Sequence, residues 1–388
     1  MNFRCGNEAG SARVVRVRAM RRMGRVMLLW VNVSRGVQIA FVLLSIGLGG
    51  STGMSGQDKV SPPGVVVLQQ TLQQMVDARA AAGKGRVALY AVRLKSGEAV
   101  GVDADRPVQT ASVIKLAILY EAMVEIRDGK AKWDEPVTLH PGEAVNGSGL
   151  LTFLDTPVTL TLKDVLTLMV IVSDNTATNL AIDRFGVDAV NARMRALGLM
   201  NTHLYKKVMK PPTGPMPADQ PKFGLGKTTP REMATLMTYI GECKLHEQGT
   251  AAVAAGARFG DVSVEDKAVC DVALGMLKNQ FYRETIPRYL ETVDTSENGT
   301  AIASKTGSLD AVRVDVAIVM GKEPVGPMVL SIFTYDNADH GWTVDNEAEV
   351  TIAKLAKVIV SGWSPAGIDG KMLVPGLGLD GVAKAPPK

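Results

Sequence analysis

Residues 112–127 read SVIKLAILYEAMVEIR, and the run from Ser112 to Tyr120 carries a single charge, Lys115. A segment apolar on nearly all sides of a helical wheel predicts a helix buried at the centre of a domain. The helical pattern continues to about Phe185, and within it Thr161 with Asp164 resembles a capping box opening a helix that runs to Val172. Helix signals return at Thr229 and near Ser263–Gln280. Strand signals lie outside this block. Val87–Leu94 and Glu98–Val102, joined by Lys95-Ser96-Gly97, read as a hairpin. Ala301–Thr306, Val312–Met320 and Met328–Tyr335 read as three more strands, with Val312, Val314, Val316 and Ile318 alternating onto one face. Helical spacing at Val65–Ala82 and Asn346–Ser361 flanks the whole. The order predicts an α/β fold: an antiparallel five-stranded sheet flanked by helices, completed from both ends of the chain, with an all-helical domain inserted.

The length of 388 residues fits one large domain or two packed ones, and 46% hydrophobic with 21% charged residues excludes disorder and a multi-span membrane protein. The formal charge of +4 is unevenly placed. Residues 1–53 hold eight arginines and one acid, Glu8, which gives them +7 and leaves −3 for the rest. Arginines up to Arg25, the apolar run Val37–Leu48 and the small residues that follow match a secretory signal peptide. Twelve residues is short for a spanning helix, which needs about 20, although a retained signal anchor stays open. The Arg21-Arg22 pair hints at twin-arginine export, and Met20 or Met23 is an alternative start. The expectation is an exported protein, periplasmic or secreted, touching the membrane only through the leader if that is retained.

Residues 54–64 then form a linker, 65–363 the folded unit and 364–388 a loosely ordered tail rich in Gly and Pro. Within the unit, an α/β lobe comprises 65–110 and about 230–363, and a helical lobe about 111–229. Cys5 belongs to the leader; Cys243 and Cys270 lie in helix-like segments, and a bridge or two buried thiols are both open. The four histidines show no metal-ligand spacing, so no metal or cofactor is expected. The body's slight acidity and 5% aromatic content argue against a nucleic-acid partner. A monomer is expected.

Three short motifs carry chemistry. In Ser112-Val113-Ile114-Lys115, a spacing of three puts both side chains on one face, one turn apart. Desolvation lowers a lysine pKa, and only a neutral lysine can take a proton from a serine. Ser112 is equally an ordinary helix cap. Ser173-Asp174-Asn175 sits between two helix patterns, where a hydroxyl and an amide suit proton relay and amide binding; capping the helix near Thr176 would also explain it. Lys305-Thr306-Gly307 ends a strand, with a glycine that permits close backbone approach and two anion-binding side chains. Its ordinary reading is a lysine pointing to water. All three in this order, about 60 and 130 residues apart, are hard to attribute to chance.

On these motifs the chain resembles the penicillin-recognising serine enzymes, and among them the class A β-lactamases, over roughly Val65–Trp363. The Thr228-Thr229-Pro230 helix start and the segment after the KTG strand add to the likeness. The resemblance implies a β-lactamase/transpeptidase-like fold with the active site between its two lobes. It makes Ser112 the acylated nucleophile, Lys115 its proton acceptor and Ser173 the relay to the leaving nitrogen. Asn175 would bind the substrate's side-chain amide, and Lys305 and Thr306 its carboxylate, with Arg313 assisting or held in a structural ion pair. Gly307 allows the close approach, and the N–H groups of Ser112 and Ser308 form the oxyanion hole. The substrate implied is a β-lactam or a peptidoglycan-like acyl donor.

One departure bears on chemistry. Class A enzymes carry, in the loop before the Thr-Thr-Pro helix, a glutamate that activates the deacylating water. Here His203–Lys227 holds five prolines (Pro211, Pro212, Pro215, Pro217 and Pro221) and no glutamate; Asp219 is its only acid. A loop this long in a compact domain is functional or disordered. The resemblance thus implies a β-lactamase, with a D-alanyl-D-alanine peptidase, an esterase or a slowly deacylating penicillin sensor as alternatives.

Overall fold

The computed structural model describes residues 22–23, 26–33, 37–44, 63–245, 262–290 and 301–369. The chain divides into two units, Met1–Val60 and Ser61–Lys388. In the first, Arg22–Met23, Val26–Val33 and Val37–Leu44 form a three-stranded antiparallel sheet, so part of the apolar leader run is strand. The remainder of that run and the linker up to residue 62 lie outside the described residues. No helix among the described residues is long and apolar enough to cross a membrane.

The second unit is built on five strands: β1 (Arg86–Arg93), β2 (Ala99–Val102), β3 (Ile302–Leu309), β4 (Val312–Gly321) and β5 (Gly326–Tyr335). Their order is β3-β4-β5-β1-β2, antiparallel throughout, as expected from a sheet assembled from both chain ends. All ten residues of β4 are buried. The alternation read from sequence therefore selects between two cores instead of between core and water. Val314, Val316 and Ile318 face the helical body, while Ala317 and Val319 face α1 (Pro63–Ala81) and α8 (Glu347–Trp363).

The helical body centres on α2 (Lys115–Arg127), whose first ten residues are all buried. Around it lie α3 (Leu162–Ile171), α4 (Asn175–Phe185) and α5 (Val187–Ala196). Two later helices, α6 (Pro230–Gly241) and α7 (Val264–Lys278), pack into the same core, although their sequence positions fall in the segment assigned to the α/β lobe. The capping box at Thr161 and Asp164 is formed: Asp164 N–H donates to Thr161 Oγ1 at 3.1 Å and Thr161 N–H to Asp164 Oδ2 at 3.1 Å. Thr229 caps α6 in the same way, accepting from Glu232 N–H at 3.1 Å, with Pro230 at the first helical position.

Two local features position the site. A small antiparallel sheet pairs Val108–Gln109, just upstream of Ser112, with Gly226–Thr228, which pairs in turn with His203–Leu204. It closes the ends of the proline-rich loop beside the nucleophile. Cys243 and Cys270 are bridged, with their Cα atoms 5.7 Å apart, tying the end of α6 to α7. The expectation of a loose tail from residue 364 is corrected as far as Asp369: Ile368 bridges Gly321, and Asp369 N–H donates to Met320 O at 2.9 Å. The end of β4, which runs past its pairing with β3, gives that segment backbone partners. Residues 370–388 lie outside the described residues.

Candidate active site

Ser112 lies in a 3-10 turn, Ala111–Ile114, which passes directly into α2 at Lys115. The sequence predicts an α-helix start here; the tighter 3-10 turn keeps Ser112 and Lys115 on one side, because residues three apart eclipse in it. Ala111 holds a φ of 44°, a conformation that costs a non-glycine residue about 1–2 kcal/mol and persists because the surroundings dictate it. Ser112 is half-buried, whereas Lys115 is fully buried. Its Nζ donates to Ser173 O at 2.7 Å, to Ser173 Oγ at 3.0 Å and to Asn175 Oδ1 at 3.2 Å. Burial, seconded by repulsion from Lys305 and opposed by Asp174, holds its pKa well below the ordinary lysine value. Burial thus favours its neutral form.

The SDN turn meets it from the other side. Ser173 has a φ of 54°, and Asp174 caps α4 by accepting from Ala177 N–H at 2.8 Å. The second Asp174 oxygen accepts from Leu150 and Leu151 N–H at 2.6 and 2.8 Å. The bonds from Leu150 and Leu151 fix the turn onto the end of the Gly147-Ser148-Gly149 segment. Ser148 Oγ donates to Ser173 O at 2.6 Å, and Asn175 Nδ2 donates to Asn146 O at 3.2 Å. Gly147, at φ 103°, has no room for a side chain, since a Cβ there would overlap Asn175 Nδ2. The ordinary capping reading and the functional one thus describe different residues of the same tripeptide: Asp174 caps, while Ser173 and Asn175 face the lysine.

Strand β3 supplies the third wall. Lys305 is fully buried and its Nζ donates to Ser173 Oγ at 3.0 Å and to Thr306 O at 2.8 Å. Burial pushes its pKa down to about 7, with Asp315 pulling the other way. It does not point to water, so the ordinary reading of this lysine fails. Two lysine amines therefore converge on one hydroxyl. As the edge strand of the sheet, β3 leaves alternate backbone groups unused by β4. Gly307 lets that edge approach the nucleophile turn: a Cβ at 307 would stand 2.7 Å from Ser112 N. Ser308, half-buried, follows it on the same edge.

Strand register divides the remaining residues. Lys305 and Gly307 pair with Val316 and Val314 on the helical face, while Thr306 and Ser308 pair with Asp315 and Arg313 on the other. Arg313 is buried and spent: Nε donates to Glu349 at 3.1 Å, Nη1 to the carbonyls of Leu309 and Val312, Nη2 to Gly341 O at 2.7 Å, and its guanidinium lies 4.7 Å from the Trp342 ring. Of the two readings of Arg313, substrate binding or a structural ion pair, the ion pair is the one formed, and it holds the guanidinium in a structural network. Opposite Thr306 sits Asp315, which sequence reasoning missed. It accepts from Thr285 Oγ1 at 2.7 Å and Ile286 N–H at 3.1 Å, and burial raises its pKa.

The one carboxylate of the loop is engaged. Asp219 accepts from Tyr205 Oη at 2.9 Å and from Lys227 Nζ at 2.6 Å, and Lys227 heads the causes that depress its pKa. The loop is clamped onto α4 by Asn179, whose amide donates to Val208 O at 3.0 Å and accepts from Val208 N–H at 2.8 Å. Among the described residues, no cluster of His, Cys, Asp and Glu could hold a metal ion.

Comparison with known proteins agrees with this geometry. A β-lactamase from Sphaerobacter thermophilus superposes with a TM-score of 0.58 at 27% identity, covering 75% of this chain and 96% of that one. PBP-A superposes with a TM-score of 0.57 at 24% identity, over 76% and 96%. An ancestral class A β-lactamase gives 0.58 at 17%, over 75% and 99%. The last two establish the β-lactamase/transpeptidase fold alone. No curated protein matches the chain by sequence. The family model described as the β-lactamase enzyme family matches residues 68–363, and the chain belongs to that family of serine hydrolases.

Proposed function

We propose that the protein is an exported serine hydrolase acylated on Ser112 by β-lactams, whose ring amide it opens before hydrolysing the resulting acyl-enzyme ester. The observation that supports this best is the convergence of two buried, pKa-depressed lysines on Ser173 Oγ, each at 3.0 Å, beside the nucleophile turn. Neutral Lys115 takes the proton of Ser112 as Oγ bonds to the lactam carbonyl carbon. The oxyanion rests on the N–H groups of Ser112 and Ser308. As the carbon–nitrogen bond breaks, Ser173 gives its proton to the leaving nitrogen and recovers one from protonated Lys115. Net, the Ser112 proton ends on the substrate. Asn175 binds the acyl side-chain amide; Lys305 and Thr306 receive the carboxylate. The leader supplies export, and the acyl-enzyme forms without a cofactor, nucleic acid or partner subunit.

A second reading is favoured by the engagement of Asp219 with Tyr205 and Lys227. With no carboxylate free in the loop, the β-lactam acyl group leaves poorly, and the protein acts either as a D-alanyl-D-alanine peptidase or esterase that turns over a peptide or ester substrate, or as a penicillin sensor that stays acylated. Incubation with penicillin G followed by peptide mass spectrometry tests the common step. The drug's mass is expected on Ser112 and absent from Ser112→Ala; an unmodified wild-type protein overturns the proposal. The lifetime of the adduct separates the readings, seconds for hydrolysis and hours for a sensor.

A further inference from the structure

Ser173 follows the end of α3 and Lys305 lies on β3, 132 residues further along the chain, yet Lys305 Nζ meets Ser173 Oγ at 3.0 Å. That bond is a poor spacer, because the Ser173 hydroxyl gives up and regains a proton during acylation and its hydrogen bonds are remade as it does so. A spacer has to keep its own bonds throughout, and the segment Gln280–Ile286, just after α7, keeps five. At one end it meets α3, whose last carbonyls have no partner within the helix. Gln280 Nε2 donates to Val170 O at 2.9 Å, Phe281 N–H to Ile171 O at 2.9 Å and Tyr282 Oη to Val172 O at 3.4 Å, so the segment takes up the successive carbonyls that lead into Ser173. At the other end Thr285 Oγ1 and Ile286 N–H both donate to Asp315 Oδ2, at 2.7 and 3.1 Å. Asp315 pairs across the strands with Thr306, the residue after Lys305.

Nothing in the sheet calls for an acid at position 315. Strand β4 is buried along its length, its ladder to β3 and β5 uses backbone groups, and valines stand on either side at 314 and 316. Burying a carboxylate costs free energy unless it is bound, and the groups that Asp315 binds are the two at the end of this segment. Gln280, Thr285, Ile286 and Asp315 are all buried, where low dielectric strengthens their hydrogen bonds. We infer that Gln280–Ile286 is a strap that sets the spacing of Ser173 and Lys305, and that Asp315, which anchors it opposite Thr306, is a positioning residue for acylation. The inference rests on the acylation reading above and adds a residue which that reading does not use. Asp315 acts through the strap and the strand, not on the reacting atoms.

Rapid-quench mass spectrometry of the full chain over a range of penicillin G concentrations separates the rate constant at saturation from the half-saturating concentration. In Asp315→Val the saturating rate constant for Ser112 modification is expected to fall about tenfold to a hundredfold, the cost of misplacing a catalytic group by about 1 Å, with half-saturation within about threefold of wild type. Asp315→Asn keeps an oxygen for Thr285 and Ile286, and puts its amide nitrogen where Oδ1 has no hydrogen-bond partner among the described residues. It should therefore recover the rate to within about threefold of wild type. Thr285→Val removes one of the two anchoring bonds at nearly constant volume and should give an intermediate loss; it carries the test if Asp315→Val does not fold. A wild-type rate in the folded valine variants overturns the inference and spares the acylation reading. Equal losses in Asp315→Val and Asp315→Asn overturn it as well, and assign the part of Asp315 to its charge. A wild-type protein that penicillin G leaves unmodified overturns the acylation reading itself, and the inference falls with it.

Discussion

Around Lys115, charged and polar groups are buried and bound to one another: Lys115 to Ser173 and Asn175, Lys305 to Ser173, Asp174 to three backbone N–H groups. Across from them, the 203–227 loop also ties its polar groups together, but near the surface, where Asp219 is half-buried between Tyr205 and Lys227. The first arrangement depresses the pKa of both lysines, that of Lys305 to about 7; the second holds a carboxylate in its charged form as a brace. The two regions therefore differ in burial: the floor around Lys115 is closed to water, whereas the loop holds its one carboxylate near the surface.

The sharpest way to break that contrast is Lys115→Met. Loss of a general base costs about 10²–10⁴-fold, so the rate of Ser112 modification by penicillin should fall by that much. An unchanged rate in rapid-quench mass spectrometry would show that the buried floor is structural. A second test uses pH. A lysine depressed to about 7 in the folded state binds fewer protons there than in the unfolded chain, whose lysines titrate near 10.4. Stability should therefore rise with pH from about 7 to 10, on the order of a few kcal/mol, with Lys115 and Lys278 adding in the same direction. In Lys305→Met the slope in urea titrations should be visibly flatter, and an equal slope would mean that Lys305 is solvated.

The loop is tested by addition and by removal. Asp219→Asn should leave the acyl-enzyme lifetime within about twofold of wild type, since Asp219 acts as a brace and not a base. Val208→Glu places a carboxylate on a loop residue held by Asn179, one turn of α4 beyond Asn175. If the loop lies within reach of the acyl carbonyl, that variant should shorten the lifetime at least tenfold in a mass-spectrometric chase. Lengthening in Asp219→Asn would restore Asp219 as the base and erase the contrast.

Much of the acylating part was legible in the sequence, because its motifs are short and each lies within one turn or strand. The sheet was legible too, since β1 with β2 and β3 with β4 are joined locally and their alternation survives. What stayed hidden depends on the third dimension. Alternation told that Arg313 and Val314 face opposite sides, not which side holds the nucleophile. Asp315 lies nine residues past Thr306 and comes opposite it only through the β3–β4 register. The pairing of Cys243 with Cys270 required α6 and α7 to be brought side by side. The supporting role of the segment at Gly147–Gly149 depends on Asp174, which reaches it from 25 positions further along the chain.

The smallest effect asks whether the floor supports itself. Thr161 caps α3 at the end far from Ser173, on the surface, and α3 feeds the SDN turn through the Asp174 N–H bond to Leu168 O at 3.0 Å. Removing such a cap costs about 1 kcal/mol, so Thr161→Ala should lower the melting temperature by about 2 °C in a fold of this size. The rate of Ser112 modification should not move, because Asp174 anchors the turn through bonds to Leu150, Leu151 and Ala177 that do not pass through α3. A tenfold loss of acylation in a still-folded Thr161→Ala would show that the geometry around Lys115 is borrowed from the helix beneath it. The contrast with the loop would then be one of degree, both regions depending on surface bonds to keep their polar groups in place.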